Sequence, residues 1–184
     1  MALIGLRVPP ETSRLLGGIE VPGQREAEAS FHITMFYLGE GLPIEDIAEV
    51  LKVTFRVVQD QGPFTVRTSL LTCFPEGEDG VPVICQIESE ALHALRSRLR
   101  DGLKAEGLFF SDKHPTYRPH VTLAYAEAPV ADQRLPTVEW GVHELVLWGG
   151  DRGDRRLTVT FPFSLDLTQK VAKRFLHDTR PGRL

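Results

Sequence analysis

Two six-residue stretches repeat one pattern: His32-Ile33-Thr34-Met35-Phe36-Tyr37 and His120-Val121-Thr122-Leu123-Ala124-Tyr125. They match at His, Thr and Tyr and keep apolar residues between. Each reads as a strand. Residues i and i+2 of a strand face the same way, roughly 6–7 Å apart, so each motif presents an imidazole beside a hydroxyl. Cleaving a phosphodiester needs a base for the attacking oxygen and an acid for the leaving one. Histidine titrates near pH 6.5 and takes either role near neutrality. The threonine hydroxyls can donate to non-bridging phosphate oxygens and hold phosphorus between the rings.

One His-apolar-Ser/Thr triplet is weak evidence in a chain with six histidines. Two inside similar strands are stronger. His93, His114, His143 and His177 lack the pattern, and His114 reads as a loop residue beside Pro115. The plainer alternative is a pair of structural strand histidines. Neither motif carries a neighbouring carboxylate or thiolate, so we expect no metal and no cofactor.

The elements that must carry these motifs follow from periodicity. Residues 2–8 form an apolar strand stopped by Pro9-Pro10, and 11–16 a short helix. Residues 30–38 alternate, with Phe31, Ile33, Met35 and Tyr37 on one face and His32, Thr34, Phe36 and Leu38 on the other. On this reading Tyr37 and Tyr125 are core residues. Pro43 opens a helix whose stripe runs through Ile47, Val50, Leu51 and Val58. Strands at 64–74 and 81–88 flank a turn-rich loop. Residues 89–106 form a helix with Leu92, Leu95, Leu99 and Leu103 on one side. Strands follow at 119–125, 142–148 and 156–165. Trp140 and Trp148 read as core or edge aromatics. Cys73 and Cys85 could face each other across a hairpin, and both read as small buried apolar residues. The order is mixed α/β without the one-to-one alternation of a doubly wound sheet.

Composition bounds the rest. A chain of 184 residues, 42% hydrophobic and 25% charged, suits one globular domain without metal or disulfide staples. No apolar run approaches the ~20 residues of a membrane span. No signal peptide is recognisable at the start, so we expect a cytoplasmic protein with no membrane partner, acting as a monomer. The net charge of -4 argues against gripping long nucleic acid through a basic face and suits a small phosphate ligand. The tail is the exception: Lys170, Lys173, Arg174, Arg180 and Arg183 outnumber Asp166 and Asp178.

The chain resembles the two-histidine (2H) phosphoesterases, in particular the bacterial and phage branch described as 2′-5′ RNA ligase-like or RNA 2′,3′-cyclic phosphodiesterase. The resemblance rests on the ten residues from Ser30 to Gly39 and on Tyr117-Arg118-Pro119-His120-Val121-Thr122-Leu123-Ala124-Tyr125. The stretches 62–74 and 143–148 are also similar. It covers about residues 1–165 as one domain of two pseudo-repeated lobes, and leaves 166–184 as a basic extension. It implies an α+β bilobal fold: two antiparallel sheets with outer helices, related by a pseudo-twofold axis, with the active-site cleft between them. It implies catalytic roles for His32, Thr34, His120 and Thr122. Phe36 shares a face with His32 and either contacts a base or fills the sheet. Tyr117 either stacks on a base or lines the core. Arg118 either pairs with phosphate or makes a surface salt bridge.

The implied activity is metal-independent hydrolysis of a 2′,3′-cyclic phosphate or another 2′-linked phosphodiester, in an RNA end or a nucleotide. A second reading keeps the chemistry but makes the substrate a cyclic or 2′-5′ oligonucleotide defence signal, as in phage and viral relatives. A third reading is a nucleotide- or RNA-binding module without turnover. The paired proton-transfer groups argue against it, because a binder needs neither.

Overall fold

The computed structural model describes residues 1–40, 42–111, 116–149 and 157–164. The elements are β1 (Ala2–Arg7), α1 (Pro10–Gly17), β2 (Gln24–Arg25), β3 (His32–Gly39), α2 (Ile44–Val58), β4 (Phe64–Cys73), β5 (Val81–Glu88), α3 (Glu90–Ala105), β6 (His120–Ala126), β7 (Gln133–Arg134), β8 (Glu139–Val142), β9 (Glu144–Gly149) and β10 (Leu157–Pro162). His114 and the 166–184 extension lie outside the described residues.

Two antiparallel sheets form, as the α+β reading expects. The first runs β10-β9-β1-β3. The second runs β2-β6-β5-β4-β7, with β8 also paired to β4. Each motif strand therefore lies in a different sheet. The short strands β2, β7 and β8 fall where the sequence reads as loops. At two to four residues they carry too little alternation to reveal themselves.

The two longer helices differ in how their starts are made. Pro43 is the N-cap of α2 and stands just before its first turn, with Glu45 and Asp46 at the positive end. Ser89 caps α3: its Oγ accepts from the Leu92 N–H at 3.4 Å and donates to the Thr65 carbonyl at 3.0 Å. The stripe of α3 is wholly buried at Leu92, Leu95, Leu99 and Leu103. Each such leucine contributes about 1.5–3 kcal/mol relative to an exposed one. Helices α2 and α3 pack together, and a Cβ on Gly102 would come within 2.8 Å of Val53 Cγ1.

Strict alternation fails in both motif strands, and for the same reason. Pairing of β1 with β3 runs Gly5 to Thr34 and then Ile4 to Phe36, so Met35 is an extra residue. Pairing of β5 with β6 runs Ile84 to Thr122 and then Val83 to Ala124, so Leu123 is extra. Each bulge shifts the following side chains by one face. Phe36 is therefore buried at 2% exposure and Leu38 at 1%, whereas Tyr37 is half-buried. Ala124 is buried and Tyr125 half-buried in the same way. This corrects the expectation that Phe36 and Leu38 continue the His32 face and that Tyr37 and Tyr125 are core residues.

The cysteines are also corrected in part. Cys85 pairs with Leu71 and Cys73 with Val83, so the two thiols do not face each other. Both are free. Cys85 is buried as expected; Cys73 is only half-buried, and its sulfur accepts from the Val130 N–H at 3.3 Å.

Candidate active site

β3 and β6 lie against each other although they belong to different sheets. This brings His32, Thr34, His120 and Thr122, all half-buried, onto two adjacent strands. The motif strands also have matching neighbours. On β1, Arg7 stands opposite His32, Gly5 opposite Thr34 and Leu3 opposite Tyr37. On β5, Gln86 stands opposite His120, Ile84 opposite Thr122 and Pro82 opposite Tyr125. Gly5 is required by closeness, since a Cβ there would sit 2.5 Å from the Ile33 carbonyl oxygen. The two halves of the site are thus built on one plan, in keeping with a pseudo-twofold relation.

Each imidazole is fixed by its own backbone. His32 Nδ1 lies 2.7 Å from the Ser30 carbonyl oxygen, and His120 Nδ1 lies 2.7 Å from that of Arg118. A carbonyl only accepts, so Nδ1 carries the proton in both rings. In each neutral ring Nε2 then holds the lone pair. That is the nitrogen able to take a proton, or to give one up once charged.

Each imidazole also has an aromatic neighbour, and each aromatic carries an arginine. The Trp148 ring centroid is 5.7 Å from that of His32, with the Arg7 guanidinium 5.3 Å from the indole. The Phe74 centroid is 4.6 Å from His120, edge to face, with the Arg118 guanidinium 5.2 Å from the Phe74 ring. Trp148 reads from sequence as a core or edge aromatic. Arg7, Trp148 and Phe74 lie far from either motif in the chain, and only the sheet pairing brings them to the site.

The remaining sequence candidates divide. Phe36 is not a substrate contact: its ring is in the core, with Phe110 edge-on at 5.2 Å. Tyr117 is a wall residue. Its hydroxyl donates to the Thr34 carbonyl at 3.2 Å, and burial holds its phenol well above the usual range. Arg118 is exposed, on the His120 side, with its guanidinium over Phe74.

A groove of about 1140 Å³ opens beside His32, lined by Arg7, Arg14, Ser30, His143 and Trp148 among others. His120 is outside it. A smaller pocket of about 400 Å³ includes Gln86, the residue opposite His120, with Ser69, Arg67 and Arg134. Among the described residues no three His, Cys, Asp or Glu side chains gather in a group able to hold a metal ion. No described helix is long and apolar enough to cross a membrane.

The sequence profile of the 2′-5′ RNA ligase superfamily matches residues 22–154, which spans both motifs. The fold is similar to the crystal structure of TT0787 of Thermus thermophilus, with a TM-score of 0.71 at 22% identity, covering 88% of this chain and 97% of that one. A phosphoesterase crystal structure superposes with a TM-score of 0.65 at 19% identity, covering 89% and 98%. Escherichia coli LigT complexed with 3′-AMP gives 0.61 at 21% identity, again covering 89% and 98%. No curated protein matches the chain in sequence.

Proposed function

The chain belongs to the 2′-5′ RNA ligase superfamily, and from that premise we propose that it is a metal-independent phosphodiesterase that opens a 2′,3′-cyclic phosphate on a nucleotide or RNA end. The observation that carries this reading is the paired bond from His32 and His120 to the carbonyl two residues back. Both rings keep Nε2 available on adjacent strands, with Thr34 and Thr122 beside them.

In the proposed reaction one neutral imidazole takes a proton from water through Nε2. The water oxygen bonds to phosphorus while the bond from phosphorus to one ribose oxygen breaks. The other imidazole, charged, gives its proton to that departing oxygen. The product is a phosphomonoester beside a free hydroxyl. Thr34 and Thr122 donate to the non-bridging oxygens and hold phosphorus between the rings. The plan of the two halves is symmetric enough for either histidine to act as base, and ligation is the same path reversed. Four LigT complexes hold 3′-AMP, NADP+, phosphate or ATP, which supports a nucleotide-sized ligand here. The groove beside His32, with Arg7 and Trp148 in its wall, has room for the rest of such a ligand.

The test is incubation in EDTA with 2′,3′-cyclic mononucleotides, 2′-5′ oligoadenylate and cyclic dinucleotides, with a His120→Ala control. Cleavage of the cyclic mononucleotides, lost in the control, is expected. Cleavage confined to 2′-5′ oligoadenylate or cyclic dinucleotides would move the assignment to destruction of a signal. Binding without cleavage would leave a recognition module.

A further inference from the structure

β3 is an edge strand of the first sheet, and three donors from elsewhere in the chain cover its outer side. The Tyr117 hydroxyl donates to the Thr34 carbonyl at 3.2 Å. Arg96 Nε donates to the carbonyl of Met35, the bulge residue, at 3.2 Å. The Ser111 N–H donates to the Tyr37 carbonyl at 2.8 Å. Arg96 is on α3, Ser111 follows α3, and Tyr117 lies three residues before His120. The bulge carbonyl of β6 is met differently: Leu123 accepts from the backbone N–H of Glu26 at 2.9 Å.

Arg96 does more than satisfy a bulge carbonyl. Its guanidinium carbon is 4.3 Å from the Tyr117 ring centroid and 4.7 Å from that of Phe36. A flat cation therefore contacts one ring from the β3 half and one ring from the β6 half. A guanidinium stacks in this way, and an ammonium does not. The hydrogen bonds fix height along β3, and the stack fixes spacing across the junction.

We propose that Arg96 and Tyr117 are positioning residues that set His32 and Thr34 in register with His120 and Thr122. They touch no substrate and act through the backbone of β3. Arg96 holds the carbonyl of the residue after Thr34; Tyr117 holds that of Thr34 itself. A reacting pair of imidazoles on separate sheets needs such a strap, because misplacement by about 1 Å costs on the order of 10²-fold in rate. The kinetic part of this inference rests on the phosphodiesterase reading, whereas the geometric part does not.

The test therefore has two readouts. Nitroxide labels at Glu11→Cys and Glu127→Cys, in a Cys73→Ser background of the full chain, report the distance between the two sheets by pulsed electron resonance. Tyr117→Phe and Arg96→Lys keep the size of the packed groups; the double variant removes the hydroxyl donor and the stack together. The expected result is a narrow distance distribution in the parent and a shifted or broadened one in the double variant. Turnover of the cyclic phosphate falls tenfold or more, with KM within about twofold. An unchanged distance distribution in a folded double variant would overturn the proposal. Should the parent cleave none of the substrates, the functional reading fails alone and the distance measurement still decides.

Discussion

His32 and His120 are held alike: each donates Nδ1–H to the carbonyl oxygen of the residue two positions earlier, at the same 2.7 Å. The bond is local, so it forms as soon as the strand forms. It fixes which nitrogen faces outward without help from a carboxylate, and it leaves the imidazole free to gain and lose charge. Two proton-transfer groups with one orientation and opposite duties are what an in-line displacement at phosphorus requires.

Replacing His32 or His120 by Ala is expected to lower turnover about 10²-fold or more. Both side chains are half-buried and on the cleft side, so the melting temperature stays within a few degrees of the parent. Full turnover in both variants would sink the assignment.

Thr34→Val and Thr122→Val keep shape and remove one donor each. A donor to the developing charge contributes about 10²–10³ in kcat, and a loss of that order is expected at either position. A change confined to KM would mean that the hydroxyls only bind the ground state.

The rate is expected to follow a bell in pH, because one imidazole must be neutral and the other charged. The His32→Ala and His120→Ala variants are expected to lose opposite limbs from whatever rate remains. EDTA is expected to leave the profile unchanged; inhibition by it would point to a metal.

Cys85 gives a pH effect of another kind. Burial pushes its thiol up to about 12, whereas an unfolded thiol titrates at about 8.5. Between those values the unfolded chain holds fewer protons than the folded one, so stability falls as pH rises. Below about 8.5 the contribution is present in full. Tyr117, raised by burial, acts in the same direction above its unfolded value of about 10. Melting curves from pH 8 to 11 are expected to show a steady decline, lessened in Cys85→Ala relative to its own value at pH 8. Iodoacetamide at pH 8 is expected to label Cys73 and spare Cys85 until the protein is denatured.

Ser89→Ala removes the cap of α3 and the bond to Thr65. Stability is expected to fall by about 1 kcal/mol, read from denaturant midpoints, with kcat unchanged. A larger fall would mean that the link to β4 matters more than the cap.

The histidines and threonines could be read from the sequence because residue type and a two-residue spacing define them. The sheets and principal helices were legible from alternation and from stripes such as Leu92, Leu95, Leu99 and Leu103. Alternation then misplaced Phe36 and Tyr37, since the inserted Met35 leaves no mark in residue type. Arg7, Trp148 and Phe74 were not legible as site residues, because only β-pairing across distant segments brings them to the imidazoles. Arg96 was hidden more deeply. On a helix its type suggests a solvated face, and nothing local reveals a bulge carbonyl waiting opposite.

The twin bulges bear on how these strands can change length. Removing Met35 would restore perfect alternation to β3, carrying Tyr37 inward and Leu38 outward while leaving His32 and Thr34 where they are. Removing Leu123 would do the same to Tyr125 and Ala126 in β6. A single-codon deletion at either site is thus a face-swapping event downstream and a silent one upstream. Lineages that gain or lose a residue here are expected to rewrite the end of the strand while keeping the His-x-Thr beginning intact.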